Sequence, residues 1–351
     1  MVTPAAGIVN GRPFTVVVEY SGIPGPLDNE ALGAGGWRRT KDGAFALGQP
    51  ESASTWFPVN DHPKDKATFK LAMTVPEGVE ALSNGVPLER STDNGWTTWT
   101  WAESAPMASY LSTVVIGQYR VDSGTHNGKP IVTAIPESLP ANGPGAKSIA
   151  RTGEIADFLA TQFGPYPFDA YGGIVLDDER VGYALETQTR PVYGNTFFGT
   201  GPDYQVVAHE LAHQWFGDSV SLERWQDIWL NEGFATYAEW LWAEHEGERT
   251  VQQNFDRVYE RFDWAELPGS PGAANIFGAA VYQRGAMTVY ALRKAMGDEA
   301  FGTLLKTWPA EQKNGTATTE EFIATAEKVA GKDLTPLFDA WLFTAAKPAR
   351  P

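Results

Sequence analysis

The run His209-Glu210-Leu211-Ala212-His213 constrains this chain more than any other feature of its sequence. It sits inside an apolar stretch, residues 206–216, that predicts a helix. On a helix, positions i and i+4 share a face, so both imidazoles reach one metal ion. Helix periodicity turns Glu210 about 100° away from His209, where it can address a water on that metal without ligating it. The chain has five histidines in all, and two of them stand here at ligand spacing. With so few, the motif arises by chance on the order of 1% of the time. A catalytic zinc takes three protein ligands and keeps a fourth position open. Eighteen residues separate His213 from Glu232, which lies in Trp229-Leu230-Asn231-Glu232-Gly233-Phe234, near the start of the next amphipathic helix. A carboxylate there also answers the helix dipole, yet beside the first motif the ligand reading prevails. The fold therefore has to pack two helices side by side so that His209, His213 and Glu232 meet.

Around these helices the hydrophobic period changes along the chain. Phe14, Val16, Val18 and Tyr20 alternate with Thr15, Val17 and Glu19, which predicts a strand. Phe69, Leu71, Met73 and Val75 repeat the pattern and stop at Pro76. Asn94-Gly95 predicts a turn ahead of an aromatic strand over 96–101. An apolar stretch over 110–119 closes this region. Gly33-Ala34-Gly35-Gly36 lacks the spacing of a phosphate-binding loop and reads as plain loop. After Val121 helical spacing sets in: Ile155, Phe158, Leu159 and Phe163 end at Gly164. A short buried strand follows over 174–176, and from Tyr204 onward nearly everything reads as helix. Thr318 with Glu321 makes a capping box, and Thr335-Pro336 opens the last helix. The prediction is an α+β chain, with an antiparallel β domain over 1–120 and a second domain with a mainly helical lobe over 121–351. A length of 351 residues suits two domains.

Composition removes several classes of function. With 43 acidic against 27 basic residues, the net charge of −16 repels phosphate backbones, so nucleic acid is not an expected partner. The absence of cysteine excludes disulfides, thiolate chemistry and Cys-ligated zinc. No Gly-x-Ser-x-Gly elbow supports a serine hydrolase. No apolar run reaches the length of a membrane span. The first seven residues have neither a basic segment nor an apolar one, so no export signal is read there. A cytoplasmic protein is expected, unless an N-terminal segment has been removed and the protein is secreted. Nothing in the sequence sets the oligomeric state.

The spacing His-Glu-x-x-His, eighteen residues, then the glutamate of Asn231-Glu232-Gly233-Phe234-Ala235, resembles the zinc aminopeptidases related to aminopeptidase N and the leukotriene epoxide hydrolase. These are the gluzincin metallopeptidases. The likeness continues through Trp215-Phe216-Gly217-Asp218, Trp56-Phe57-Pro58, Asp61-His62-Pro63, Lys66-Ala67-Thr68-Phe69 and Val281-Tyr282-Gln283-Arg284-Gly285. It implies a thermolysin-like catalytic domain behind the β domain and one zinc per chain, as in short bacterial members. It also implies that Glu210 is the general base, and that Tyr282 donates to the developing oxyanion. The family recognises a substrate's free N-terminus with a Gly-Ala-Met-Glu-Asn strand; here Tyr183-Ala184-Leu185-Glu186-Thr187 aligns, keeping the glutamate and replacing three neighbours. Glu186, with Gln49 and Glu51, is thus the expected anchor for a peptide's α-ammonium, because an internal peptide bond offers no cation there.

The strand pattern begins partway into the family's N-terminal domain, so a truncated β domain is expected, and the chain closes soon after Trp341-Leu342-Phe343. The expected activity is removal of N-terminal residues from peptides through a zinc-bound water. The altered strand at 183–187 leaves open an endopeptidase or oligopeptidase built on the same centre. Epoxide hydrolysis and a non-catalytic peptide-binding module are weaker readings. Two further acidic sites are weaker still: Glu239 could orient a ligand, and Glu244-His245-Glu246 could clip a metal, but a solvated helix face explains either.

Overall fold

The architecture is that of a computed structural model describing residues 6–30 and 32–351; residues 1–5, read above for an export signal, lie outside it. Seven strands come first: β1 (Gly36–Arg39), β2 (Ala44–Leu47), β3 (Ala67–Pro76), β4 (Glu80–Ser83), β5 (Val86–Asp93), β6 (Trp96–Met107) and β7 (Val114–Gly117). They form two antiparallel sheets, ordered β1-β2-β7-β4 and β3-β6-β5. Asn94 and Gly95 take φ of 50° and 78°, the paired positive values that a two-residue hairpin needs. The indoles of Trp99 and Trp101 donate to the carbonyls of Val79 and Ala81, which ties the sheets together.

The expected strand over 14–20 is not formed. Residues 12–25 pair with no strand among the described residues, and Phe14 and Val17 remain 64% and 80% exposed. Alternation gives a strand its two faces, but its backbone groups need a neighbour, and none lies alongside. The apolar stretch over 110–119 is also divided. A tight turn, Ser109–Leu111, precedes β7, and Tyr119 already opens a strand of another sheet.

That sheet carries β8 (Tyr119–His126), β9 (Lys129–Pro136), β10 (Tyr171–Leu176), β11 (Ala184–Leu185) and β12 (Val192–Gly194) in the order β11-β12-β10-β9-β8. The edge strand β11 runs antiparallel to β12, whereas β10 runs parallel to both its neighbours. Helices α1 (Pro144–Ile149) and α2 (Thr152–Phe163) follow β9, and α3 (Tyr204–Ala212) follows β12. The helical lobe is α4 (Trp229–His245), α5 (Val251–Tyr259), α6 (Gly285–Met296), α7 (Asp298–Glu311), α8 (Thr319–Ala330) and α9 (Thr335–Phe338). Both bonds of the Thr318/Glu321 capping box are present.

Two contacts fix how these parts meet. Helices α4 and α6 cross at Gly233 and Gly285, where a Cβ on either would stand 2.9 Å from the other's backbone. Only glycine permits that approach. At the other contact, Lys66 donates to the carbonyls of Asp218, Ser219 and Gly315, at 2.8, 3.0 and 3.3 Å. One ammonium thereby joins the entry to β3, the turn after α3 and the loop before α8. Burial pushes its pKa down to about 8, while three acceptors hold its three protons in place.

Candidate active site

Helix α3 is shorter than the predicted 206–216. It starts at an Asp203 cap, whose carboxylate accepts from Gln205 N and Val206 N, and ends at Ala212. His213 closes it, and the chain curls back so that the amides of Asp218 and Ser219 donate to the carbonyls of His213 and Gln214. His209 and His213 still share one face, with ring centroids 4.9 Å apart. Glu232 lies in the first turn of α4, where the expected helix begins. The rings of Phe216 and Phe234 stack at 4.4 Å and lock the two helices together.

Three ligand atoms converge. His209 Nε2 and His213 Nε2 lie 3.2 and 3.4 Å from the same oxygen, Glu232 Oε2. Tetrahedral bonds of the zinc–nitrogen and zinc–oxygen length separate neighbouring ligand atoms by about 3.3 Å, so this triangle fits such an ion. The outer nitrogens are held as ligands require. His209 Nδ1 meets Glu239 Oε1 at 2.6 Å, and His213 Nδ1 meets the Phe216 carbonyl at 3.0 Å. A carbonyl only accepts, so His213 carries a proton on Nδ1, which leaves Nε2 as the nitrogen that would serve a metal. Glu239 is therefore placed to orient the His209 ring.

The charges point the same way. Burial alone would lower both imidazole pKa values, but the carboxylates of Glu232 and Glu239 lift that of His209 well above the ordinary value, and Glu232 lifts His213 to about 9. Burial works against ionised Glu232, yet the two histidines hold it down at about 2. The cluster thus calls for positive charge in its centre.

Glu210 is buried beside the triangle without belonging to it. Burial raises its pKa to about 8, against the pull of both histidines. Its carboxylate, that of Glu186 and the ring of His213 approach one another within 4.8 Å. Glu186 stands just beyond β11, 2% exposed, with a pKa raised by burial. Its Oε1 accepts from Gln49 Nε2 at 3.1 Å and from the Tyr110 hydroxyl at 3.0 Å. Gln214, next to His213, donates to the Glu186 carbonyl and accepts from Thr189 N, which pins this strand to α3.

Tyr282 lies in a wide turn, Ala280–Arg284, that leads into α6. The guanidinium of buried Arg284 anchors that turn on the carbonyls of Trp264, Glu266, Ala340, Trp341 and Thr344. The tyrosine ring stacks on His209 with centroids 6.0 Å apart, and burial drives its phenol pKa well up, so it stays a donor.

A cleft enclosing about 300 Å³ gathers Glu186, Gln49, His209, His213, Glu232, Glu210 and Tyr282. Glu51 is not among them: it is exposed and lies outside the cleft. Pro50 intervenes after Gln49, and only Gln49 turns inward. Glu244, His245 and Glu246 have structural partners instead, in Val251 N, the Phe158 ring and Arg151. Sequence reasoning missed Tyr110, read only as part of an apolar stretch, which bonds Glu186, and Leu32, beside the plain loop, which reaches the cleft wall. Neither carries a motif that marks it.

The family model described as the peptidase family M1 domain matches residues 160–341, and that of the peptidase M1 N-terminal domain matches residues 9–111. The structure superposes with a TM-score of 0.85 on the M1 zinc metallopeptidase of Deinococcus radiodurans, a mutant bound to a Tyr-Ser-Ala substrate. The two are 30% identical, and the match covers 94% of this chain and 76% of that one. Aminopeptidase M1 of Arabidopsis thaliana is 29% identical over 86% of this chain and 37% of its own length. Glutamyl aminopeptidase of Rattus norvegicus is 27% identical over 86% of this chain and 34% of its own. The chain thus spans about a third of the length of these curated relatives.

Proposed function

The chain belongs to peptidase family M1, and on that premise we propose that it is a zinc aminopeptidase that removes the first residue of peptides. The observation that carries this reading is the place of Glu186. A buried carboxylate within 4.8 Å of Glu210 and His213 offers an ammonium a partner beside the catalytic groups. The α-nitrogen and carbonyl carbon of one residue are about 2.5 Å apart. An N-terminus held by Glu186 therefore leaves its first peptide bond at His213 and Glu210.

His209, His213 and Glu232 would hold the zinc. The chemistry it supplies when bound is Lewis acidity toward the scissile carbonyl and toward water. The chain supplies the rest. Glu186 pairs with the substrate ammonium, with Gln49 and Tyr110 fixing the carboxylate through Oε1. Glu210, kept basic by burial, takes a proton from the attacking water and passes it to the departing amine. Tyr282 donates its phenol proton in a hydrogen bond to the oxyanion as charge develops. Glu239 and the Phe216 carbonyl keep both imidazoles turned inward.

The test is mass spectrometry of one peptide, free or N-acetylated, incubated with protein of measured zinc content. Stepwise loss of N-terminal residues from the free peptide alone is expected. Internal cleavage of both forms would instead make the chain an endopeptidase. Glu186→Ala should abolish the preference for the free form; an intact preference removes Glu186 as the anchor.

A further inference from the structure

The wall of the cleft on the substrate-anchor side is built from a segment outside the peptidase core. Residues 27–30 and 32–36 face each other: Leu27 N donates to Gly35 O, and Asn29 and Gly33 exchange both backbone bonds at 2.8 and 3.0 Å. Leu32, at the tip, lines the cleft with Gln49 and Tyr183. Tyr183 is one of the residues that replace the family's pattern in the anchor strand. Its hydroxyl donates to the Ala34 carbonyl at 2.5 Å, which latches the folded segment to the strand that carries Glu186. The surface offered to a first side chain is thus aliphatic and aromatic.

Charge around it has one sign. The cleft is lined by the carboxylates of Glu186, Asp203, Glu210, Glu232 and Glu239, and by no lysine or arginine among the described residues. A divalent cation at the histidines would be met first by Glu232, and the remaining carboxyls still offer a first side chain no positive partner. The guanidinium of Arg38, whose charge acts on Tyr183, is paired with Asp28 and donates to the Gly35 carbonyl. A first side chain ending in a carboxylate would lose its water and find no counter-ion here, next to other carboxylates. An uncharged apolar side chain meets Leu32 and Tyr183 without that cost.

We propose that the wall formed by Leu32 and Tyr183, in a cleft lined by carboxylates and no lysine or arginine among the described residues, makes this site favour peptides with an uncharged apolar first residue over those beginning with Asp or Glu. The inference rests on the aminopeptidase reading and sharpens it.

The test compares Leu-Ala-Ala with Glu-Ala-Ala as substrates of the zinc-loaded full chain. A kcat/KM at least 50-fold higher for the leucine peptide is expected, and any smaller ratio overturns the proposal. Leu32→Lys places an ammonium on the wall and should narrow the ratio at least fivefold; an unchanged ratio overturns Leu32 as part of that wall. Binding gives a readout independent of turnover. In a Glu210→Gln protein, millimolar L-leucine should raise the melting temperature and L-glutamate should not, while equal shifts overturn the proposal. If neither peptide is cut, the aminopeptidase reading fails, and the two amino acids still decide the selectivity.

Discussion

Helices α3 and α4 and the segment over residues 12–25 are both strongly patterned in the sequence, and they end in opposite states. The helices are buried at nearly every position and bring His209, His213 and Glu232 together. The segment alternates as a strand should, yet stays exposed and unpaired among the described residues. A helix closes its backbone hydrogen bonds within itself, so an apolar stripe needs only a surface to pack against. A strand closes none of them, so its pattern is half of a structure until another strand supplies the rest.

That contrast can be broken at its strongest point first. Glu210→Gln should lower turnover about 10³-fold, the range for loss of a general base, while zinc content stays at that of the parent protein. Retained turnover would show that burial beside the triad does not make Glu210 the base. Next comes the crossing of α4, which carries Glu232, with α6, which follows Tyr282. Gly233→Ala puts a methyl 2.9 Å from the Gly285 backbone and should cost about 3 kcal/mol in urea unfolding. An unchanged midpoint would mean that the helices yield at that contact. Tyr282→Phe should lower kcat about 10²-fold with little change in KM, because its hydrogen bond is made in the transition state. Equal kinetics would return the ring to a packing role on His209. The smallest effect belongs to the other side of the comparison. The double change Val16→Lys and Val18→Lys should alter stability by no more than about 0.5 kcal/mol, since neither side chain is buried. A larger loss would reveal a packing partner for that segment and erase the contrast.

Legibility followed the same division. The meeting of His209 and His213 was readable because helix periodicity converts a spacing of four directly into a shared face. The capping box at Thr318 and the turn at Asn94-Gly95 were readable for a similar reason, since each is decided by residues a few positions apart. Glu51 and Gln49 show the opposite case. Both belong to one short motif, but only Gln49 reaches Glu186, 137 positions away in sequence, and Glu51 faces solvent. Tyr110 and Leu32 were invisible as site residues because an apolar or aromatic residue gives the same signal whether it lines a core or a cleft.

The sequence by itself determined which groups could meet: two imidazoles four positions apart on one helix, a carboxylate between them and another early in the next helix admit few arrangements. It determined the local punctuation as well, through caps, turns and the glycines of the Asn-Glu-Gly and Gln-Arg-Gly runs. Only the tertiary structure decided how those groups face one another, because Gly233 against Gly285, Lys66 on three carbonyls and Gln214 on the Glu186 strand join segments far apart in the chain. Periodicity reports which side of an element is apolar; what that side meets depends on contacts that carry no local signal.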